Sequence, residues 1–126
     1  MSSAKKGGNS HFGKLGEDIA AAYLQRKGYK ILERNYRYGR NEIDIICSSD
    51  KEIIFVEVKT RASDDIAYPE RAVSKVKQKN IRITAENYLE EIDYRGSTRF
   101  DIIAVLKGIK FEIEHFEDAF YPFDVI

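Results

Sequence analysis

The segment that decides the fold is Asn41-Glu42-Ile43-Asp44-Ile45-Ile46, followed by Phe55-Val56-Glu57-Val58-Lys59-Thr60-Arg61. Both runs are rich in β-branched residues, and the polar Ser48-Ser49-Asp50-Lys51 between them is typical of a turn. Together they predict a β-hairpin. A turn centred on Asp50 and Lys51 places Asp44 directly opposite Glu57, so two carboxylates lie side by side across the strand pair.

The period of two along a strand also predicts that Lys59 shares a face with Asp44 and Glu57. Opposed Cβ atoms lie ~5 Å apart, where two carboxylates repel by on the order of 3 kcal/mol at an effective dielectric of ~20. A positive charge must compensate this repulsion. Either Lys59 forms a structural ion pair, or a hard divalent cation takes oxygen ligands from both acids. The opposite face is predicted to be one apolar layer of Ile43, Ile45, Ile54, Val56 and Val58.

If a cation is present, Asp44 and Glu57 would hold Mg²⁺ (or Mn²⁺), and Lys59 would position a water or stabilise charge on a phosphodiester. Glu17 could join them, because it lies on the apolar Ala20 side of the first predicted helix. It could equally be a first-turn acid favoured by the helix dipole. Gln78 could contact a phosphate or a metal-bound water, or could be an exposed residue of the second helix.

Helical spacing of apolar residues predicts two helices around the hairpin. The first covers Phe12–Lys27, and the second opens at the N-cap Ser74 and ends near Glu91. Its apolar stripe comprises Ile81, Ala85, Tyr88 and Ile92, and that of the first helix Leu15, Ile19, Ala22 and Tyr23. The predicted strands are Lys30–Tyr36, Glu42–Cys47, Ile53–Thr60, Arg99–Lys107 and Ile109–Phe116. The order α-β-β-β-α-β-β, with a helical crossover, predicts an α/β fold whose mixed central sheet is flanked by helices.

The chain is 126 residues long, which is the size of one domain. We expect a flexible arm at residues 1–11 and a single domain at 12–126. The start has no apolar signal region and no run of ~18 apolar residues follows, so a cytoplasmic protein without a membrane span is expected. A single cysteine, Cys47, excludes a disulfide framework.

Charge is balanced overall, with 21 basic and 21 acidic residues, but it is unevenly distributed. Basic residues cluster near the first hairpin and at the start of the second helix, and cations interleaved with aromatic residues can grip phosphates and stack on bases. The alternative is that these are ordinary solvated faces. The predicted nucleic-acid contacts are Arg34, Arg37, Arg40, Arg61, Lys75, Lys77, Lys79 and Arg82.

The ordered motifs resemble the PD-(D/E)xK restriction-endonuclease-like superfamily, and most closely the YraN-type family of predicted endonucleases related to archaeal Holliday junction resolvases. The residues that carry the resemblance are Gly16-Glu17, Gly28-Tyr29, Arg34-Asn35, Glu42-Ile43-Asp44, Phe55-Val56-Glu57-Val58-Lys59-Thr60-Arg61, Lys77-Gln78 and Arg99-Phe100-Asp101. The resemblance implies a restriction-endonuclease-like core. It also implies a Mg²⁺ site at Glu17, Asp44, Glu57 and Lys59, with Gln78 as a supporting residue.

Three hypotheses follow. The first is a Mg²⁺-dependent endonuclease that hydrolyses DNA phosphodiesters, with branched or damaged DNA as candidate substrates. The second is a catalytically silent nucleic-acid-binding module, and the third is a structural or partner-binding protein whose acids form an ion-pair network. A homodimer is compatible with each of them, because resolvase-like nucleases often pair two sites and the neutral net charge permits association.

Overall fold

Two helices and five strands arise where the apolar period changes along the chain. The computed structural model describes residues 7–62 and 73–124. Its elements are α1 (Gly7–Arg26), β1 (Lys30–Tyr38), β2 (Asn41–Ser48), β3 (Glu52–Ala62), α2 (Lys75–Glu91), β4 (Ser97–Lys107) and β5 (Phe111–Phe116), with a 3₁₀ helix at Pro122–Asp124. The predicted order α-β-β-β-α-β-β is confirmed, and residues 1–6 of the predicted arm lie outside the described residues.

The five strands form one mixed sheet in the order β1-β2-β3-β4-β5. β3 and β4 run parallel, and the other three neighbouring pairs are antiparallel. A parallel pair needs a crossover connection, which α2 supplies between β3 and β4. This arrangement is consistent with a restriction-endonuclease-like core, and the predicted fold class is confirmed.

Alternating residues of the central strands face two separate apolar layers. Ile54 and Val56 of β3 pack with Ala20 and Leu24 of α1. Phe55, between them, faces the opposite layer, which α2 and the C-terminal segment cover. That second layer comprises Ile43, Ile46, Ile53, Phe55, Val73, Ile81, Ala85, Tyr88, Phe100, Ile102 and Phe120. A sheet covered on both faces gives its central strands their nearly continuous apolar sequence.

Glycine at position 16 allows α1 to lie against β3. A Cβ atom built on Gly16 would overlap the Oγ1 atom of Thr60, so any other residue requires the Thr60 side chain to rotate or the two elements to separate. The close approach of α1 to β3 thereby sets the position of the next residue, Glu17, relative to the sheet.

Several element details differ from the sequence predictions. α1 begins at Gly7 rather than Phe12, and β5 begins at Phe111 because Ile109 lies exposed in the turn. Leu15 is 39% exposed, because α1 buries its Ala20 side most deeply, although Ile19 and Tyr23 of the predicted stripe also pack against that layer. Ile92 lies beyond the end of α2 and is 45% exposed, so the stripe of that helix stops at Tyr88.

The prediction that Ile43 shares a face with Ile45 is wrong. Ile43 packs in the layer under α2, whereas Ile45 packs in the layer under α1. On the neighbouring strand, Asn35 has a positive φ of 53°, between the cross-strand pairs Arg34↔Ile45 and Tyr36↔Ile43. A left-handed residue rotates the strand out of its pleat, so the simple alternation stops at this point in both strands.

Candidate active site

A cavity of about 380 Å³ opens beside the segments of β2 and β3 that extend past their last backbone pair, Ile45↔Val56. The predicted residues Glu17, Asp44, Glu57 and Lys59 all line it, so α1, β2 and β3 each contribute a polar side chain. The remaining lining residues are Phe12, Gly13, Val58, Thr60 and Arg61.

Asp44 lies where the β2–β3 ladder stops. The predicted register is confirmed from Ser48↔Ile53 to Ile45↔Val56, but the carboxylate of Asp44 replaces the next backbone partner and accepts a hydrogen bond from the Val58 N–H at 2.8 Å. Burial, and then the nearby charge of Glu57, raise the pKa of Asp44 to about 8 against the pull of that hydrogen bond. In the absence of a cation the Asp44 carboxyl group is therefore largely protonated at neutral pH.

Glu57 is buried, with only 7% of its side chain exposed, and two lysines neutralise it. Its Oε2 atom lies 3.5 Å from the Nζ atom of Lys59 on the same strand. The same oxygen lies 3.5 Å from the Nζ atom of Lys77 in the first turn of α2. The predicted Lys59 partner is present, while Lys77 had been predicted only as a phosphate contact. The pairing joins positions 20 residues apart, so no local sequence signal identifies it.

Glu17 is held on the opposite side of the cavity by residues of β1. Its Oε1 atom accepts a hydrogen bond from Asn35 Nδ2 at 2.9 Å and lies 3.9 Å from Arg34 Nη2. Arg34 itself pairs with Asp18 at 2.7 Å. The left-handed backbone of Asn35 directs its side-chain amide toward Glu17. Asn35 belongs to the Arg34-Asn35 motif, but its contact with Glu17 depends on the packing of α1.

The chemistry of the donor set fits a hard divalent cation. Mg²⁺ in proteins is commonly held by one or two carboxylates with water completing its shell, and Asp44 and Glu57 are two carboxylates beside an open cavity. Across the described ranges 7–62 and 73–124, no three His, Cys, Asp or Glu side chains form a group that could hold a metal ion. Glu17 therefore does not complete a preassembled three-carboxylate site with the other two.

The other predicted contacts are dispersed. Gln78 is not among the lining residues, and its amide donates to the Val73 carbonyl at 3.1 Å, next to the start of α2. Arg61 lines the cavity and donates to the Thr60 carbonyl at 2.9 Å.

Of the remaining predicted nucleic-acid contacts, Arg37 lies 3.8 Å from Glu42, and Arg40, Lys75 and Lys79 are exposed. Arg82 is partly buried on α2.

A second polar cluster lies under α1, away from the cavity lining. Asp101 is fully buried and accepts hydrogen bonds from Arg99 Nε at 2.9 Å and Arg99 Nη2 at 2.8 Å. His115 Nε2 lies 2.8 Å from its Oδ2 atom, and the Asp118 N–H donates to its Oδ1 atom at 3.0 Å. Burial acts to raise the pKa of Asp101, but these partners outweigh it and hold the pKa below its usual value. The ion pair between Asp101 and Arg99 is present, and the cluster is structural.

Fold and site together define an α/β protein with a cavity of carboxylates and lysines at the end of a β-hairpin. The chain matches the model of "Uncharacterised protein family UPF0102" over residues 16–105. It is 49% identical to a UPF0102 protein of Prosthecochloris aestuarii, covering 86% of this chain and 92% of that protein. It is 45% identical to one of Flavobacterium psychrophilum, covering 91% and 98%. The chain belongs to the UPF0102 family.

Among solved structures, Pyrococcus furiosus SfsA in complex with Ca²⁺ has a TM-score of 0.34 and 16% identity, covering 86% of this chain and 63% of that one. A likeness of this size carries no argument about function. No helix in the described part of the chain is long and apolar enough to cross a membrane. The homodimer and the cellular compartment stay predictions.

Proposed function

We propose that this protein is a metal-dependent endonuclease that hydrolyses DNA phosphodiesters at the cavity between β2 and β3. The observation that carries the proposal is the convergence of Asp44, Glu57 and Lys59 on one cavity, with Glu57 buried and the Asp44 carboxyl group oriented by the Val58 N–H. Two acids and a lysine in a partly buried cleft are a combination suited to phosphoryl chemistry. The family resemblance stated above points to the same activity.

Asp44 and Glu57 are the residues that would hold Mg²⁺ or Mn²⁺. When bound, such a cation supplies charge neutralisation at the phosphodiester and lowers the pKa of a water molecule. The Val58 N–H fixes the orientation of the Asp44 carboxylate through its 2.8 Å hydrogen bond. Glu57 is buried on its other sides and meets the cavity with the 7% of its side chain that is exposed. Polar groups that are held in place before the reaction stabilise the charge that develops in the transition state, and this is usually the largest contribution of a protein to such catalysis.

Lys59 is the residue proposed to stabilise charge on the phosphodiester oxygens or to orient the attacking water. Its side chain is 18% exposed and lines the cavity, so its ammonium is partly desolvated and interacts strongly with charges there. Glu17 faces the same cavity from α1, where Asn35 holds one of its oxygens. Glu17 is therefore a candidate for orienting water or substrate rather than for primary cation binding.

Nucleic-acid binding is proposed along the edge formed by Arg61 and the first turns of α2. Lys75, Lys77 and Lys79 occupy alternate positions there, and the helix N-terminus adds a favourable partial charge for phosphate. Gln78 lies in the same turn. Sequence-independent phosphate contacts by such a patch produce binding that weakens steeply with salt.

The test is a cleavage assay on linear, nicked, flap and four-way-junction DNA with Mg²⁺ or Mn²⁺. Native protein is compared with Glu57→Ala and Lys59→Ala, and with Glu86→Ala as a control that removes an exposed acid from α2. We expect cutting that is lost in the first two variants and retained in the third. Cutting that persists in Glu57→Ala indicates a contaminating nuclease and contradicts the proposal.

The competing functions give different results in the same samples. A catalytically silent nucleic-acid-binding module binds these DNAs in a salt-dependent way without cutting them. A structural or partner-binding protein neither binds DNA nor responds to Mn²⁺ in a thermal melt. The two carboxyl groups of Asp44 and Glu57 on one cavity favour the metal-dependent enzyme over both.

A further inference from the structure

Lys77 is the second cation at the most buried acid of the cavity. Its Nζ atom and that of Lys59 each lie 3.5 Å from the same Oε2 atom of Glu57. They reach it from different elements, Lys59 from β3 and Lys77 from α2. One carboxylate oxygen is thus shared by two ammonium groups that repel each other, which makes the weaker of the two contacts easy to exchange.

Exposure distinguishes the two lysines. The side chain of Lys59 is 18% exposed, whereas that of Lys77 is 44% exposed. An exposed lysine has a flexible stem and a well-hydrated head, so its ion pair contributes little and is readily exchanged for another partner. Lys77 also lies three residues after the N-cap Ser74, at the edge proposed for phosphate binding.

The formal charges give the exchange a direction. With every group ionised, the three acids Glu17, Asp44 and Glu57 balance the three cations Lys59, Lys77 and Arg61 around the cavity. A divalent cation adds two positive charges, which favour the approach of phosphodiester groups. Once a cation binds Glu57, it repels the Lys77 ammonium group on the same oxygen. The nearest new negative charge for that ammonium group is the phosphate.

We propose that Lys77 competes with the divalent cation for Glu57 Oε2 and transfers to a non-bridging phosphate oxygen of the nucleic acid when the cation displaces it. This inference rests on the proposed metal-dependent function. It makes Lys77 a positioning residue that couples metal loading to substrate binding.

The test measures Mn²⁺ affinity by isothermal titration calorimetry without DNA, and DNA affinity by stopped-flow anisotropy before cleavage, with and without Mn²⁺. Lys77→Gln is compared with Lys79→Gln, which removes an equal charge from an exposed position of the same helix. Lys77→Arg keeps the charge. We expect Lys77→Gln to bind Mn²⁺ roughly 1.5- to fivefold more tightly than native protein, the value of one half-exposed ion pair.

The DNA measurement separates coupling from simple loss of charge. We expect Lys77→Gln to weaken DNA binding only when Mn²⁺ is present, because Lys77 is held by Glu57 otherwise. Lys79→Gln should weaken it equally with and without Mn²⁺, and Lys77→Arg should behave like native protein.

Two negative outcomes are distinct. Native protein that takes up Mn²⁺ with the same affinity as Lys77→Gln overturns the role of Lys77 alone. Native protein and Lys77→Gln that both fail to take up Mn²⁺ overturn the proposed metal-dependent function, and the exchange with it.

Discussion

The carboxylate of Asp44 accepts a hydrogen bond from the backbone N–H of Val58 at 2.8 Å, at the point where the β2–β3 ladder ends. A side chain thus satisfies a backbone donor that the next residue pair would otherwise have satisfied. The two strands are held together while a polar group is retained beside the cavity. The same contact makes Asp44 a sensitive probe of the site.

Removing the charge of Asp44 should stabilise the metal-free protein at high pH. The folded-state pKa of about 8 lies above the ordinary value of 3.8, so the stability associated with protonated Asp44 is present below pH ~4 and lost as the pH rises through 8. Asp44→Asn keeps an acceptor for Val58 and avoids this loss. Thermal melts in a chelator should show a melting temperature several degrees above that of native protein at pH 9, with a smaller difference at pH 5. Glu42→Gln is the control, and an equal gain from it would contradict the interpretation.

Asp101 should behave in the opposite way. Its pKa is held low, so its stabilisation is present above the unfolded-state pKa and is lost as the pH falls through the folded-state value. Asp101→Asn removes the buried partner of Arg99, which keeps its pairs with Glu52 at 3.2 Å and Glu117 at 3.6 Å, so we expect a cost of about 1–3 kcal/mol. Urea unfolding at pH 7 and pH 3 measures the effect, which should be larger at pH 7. A loss below 1 kcal/mol at pH 7 would show that the cluster is not a stabilising unit.

The contact of Gly16 with Thr60 should be intolerant of a methyl group. Gly16→Ala forces α1 away from β3, which we expect to lower the free energy of unfolding by roughly 1–3 kcal/mol and to weaken cleavage by moving Glu17. Thr60→Ala removes the overlapping oxygen and should restore part of the loss. Denaturant unfolding of both single variants and the double variant measures this coupling. Strictly additive effects would show that the contact does not set the helix position.

Charge reversal on α2 should weaken DNA binding without unfolding the protein. Lys79→Glu combined with Arg82→Glu should reduce affinity and flatten its dependence on salt concentration, because fewer counterions are released. The control combines Lys30→Glu with Lys51→Glu, exposed residues near the hairpin turn at the other end of β2. Gel shifts at three salt concentrations measure the effect, and equal losses in both double variants would indicate a non-specific charge effect.

Cys47 should be unreactive in the folded protein. Its side chain is fully buried, and burial raises the pKa of the thiol to about 12. Thiolate is the reactive form, so modification by an aromatic disulfide reagent at pH 8 should proceed only as fast as the sheet opens. The same reaction in denaturant gives the unprotected rate. A native-state rate close to it would place Cys47 outside the core.

The polar pattern of β2 and β3 was sufficient to predict the hairpin register and the convergence of Asp44, Glu57 and Lys59, whereas the orientation of Glu17 on α1 was left open. These predictions succeeded because strand alternation and turn placement depend on neighbours along the chain. The prediction for the face of Ile43 failed because the left-handed residue Asn35 interrupts the alternation of faces in both β1 and β2. No residue pattern in β2 itself indicates that interruption.

By itself, the sequence determined the element order, the parallel crossover through α2 and the set of acids beside one lysine, since each follows from periodicity and short-range geometry. The tertiary structure decided which cations meet which acids. Lys77 reaches Glu57 because α2 packs across the sheet, Asn35 reaches Glu17 because α1 approaches β3 at Gly16, and Arg99 reaches Glu52 because β4 lies beside β3. Coulomb and hydrogen-bond energies depend on distances of a few ångströms and on burial, and those quantities exist only once the helices are packed.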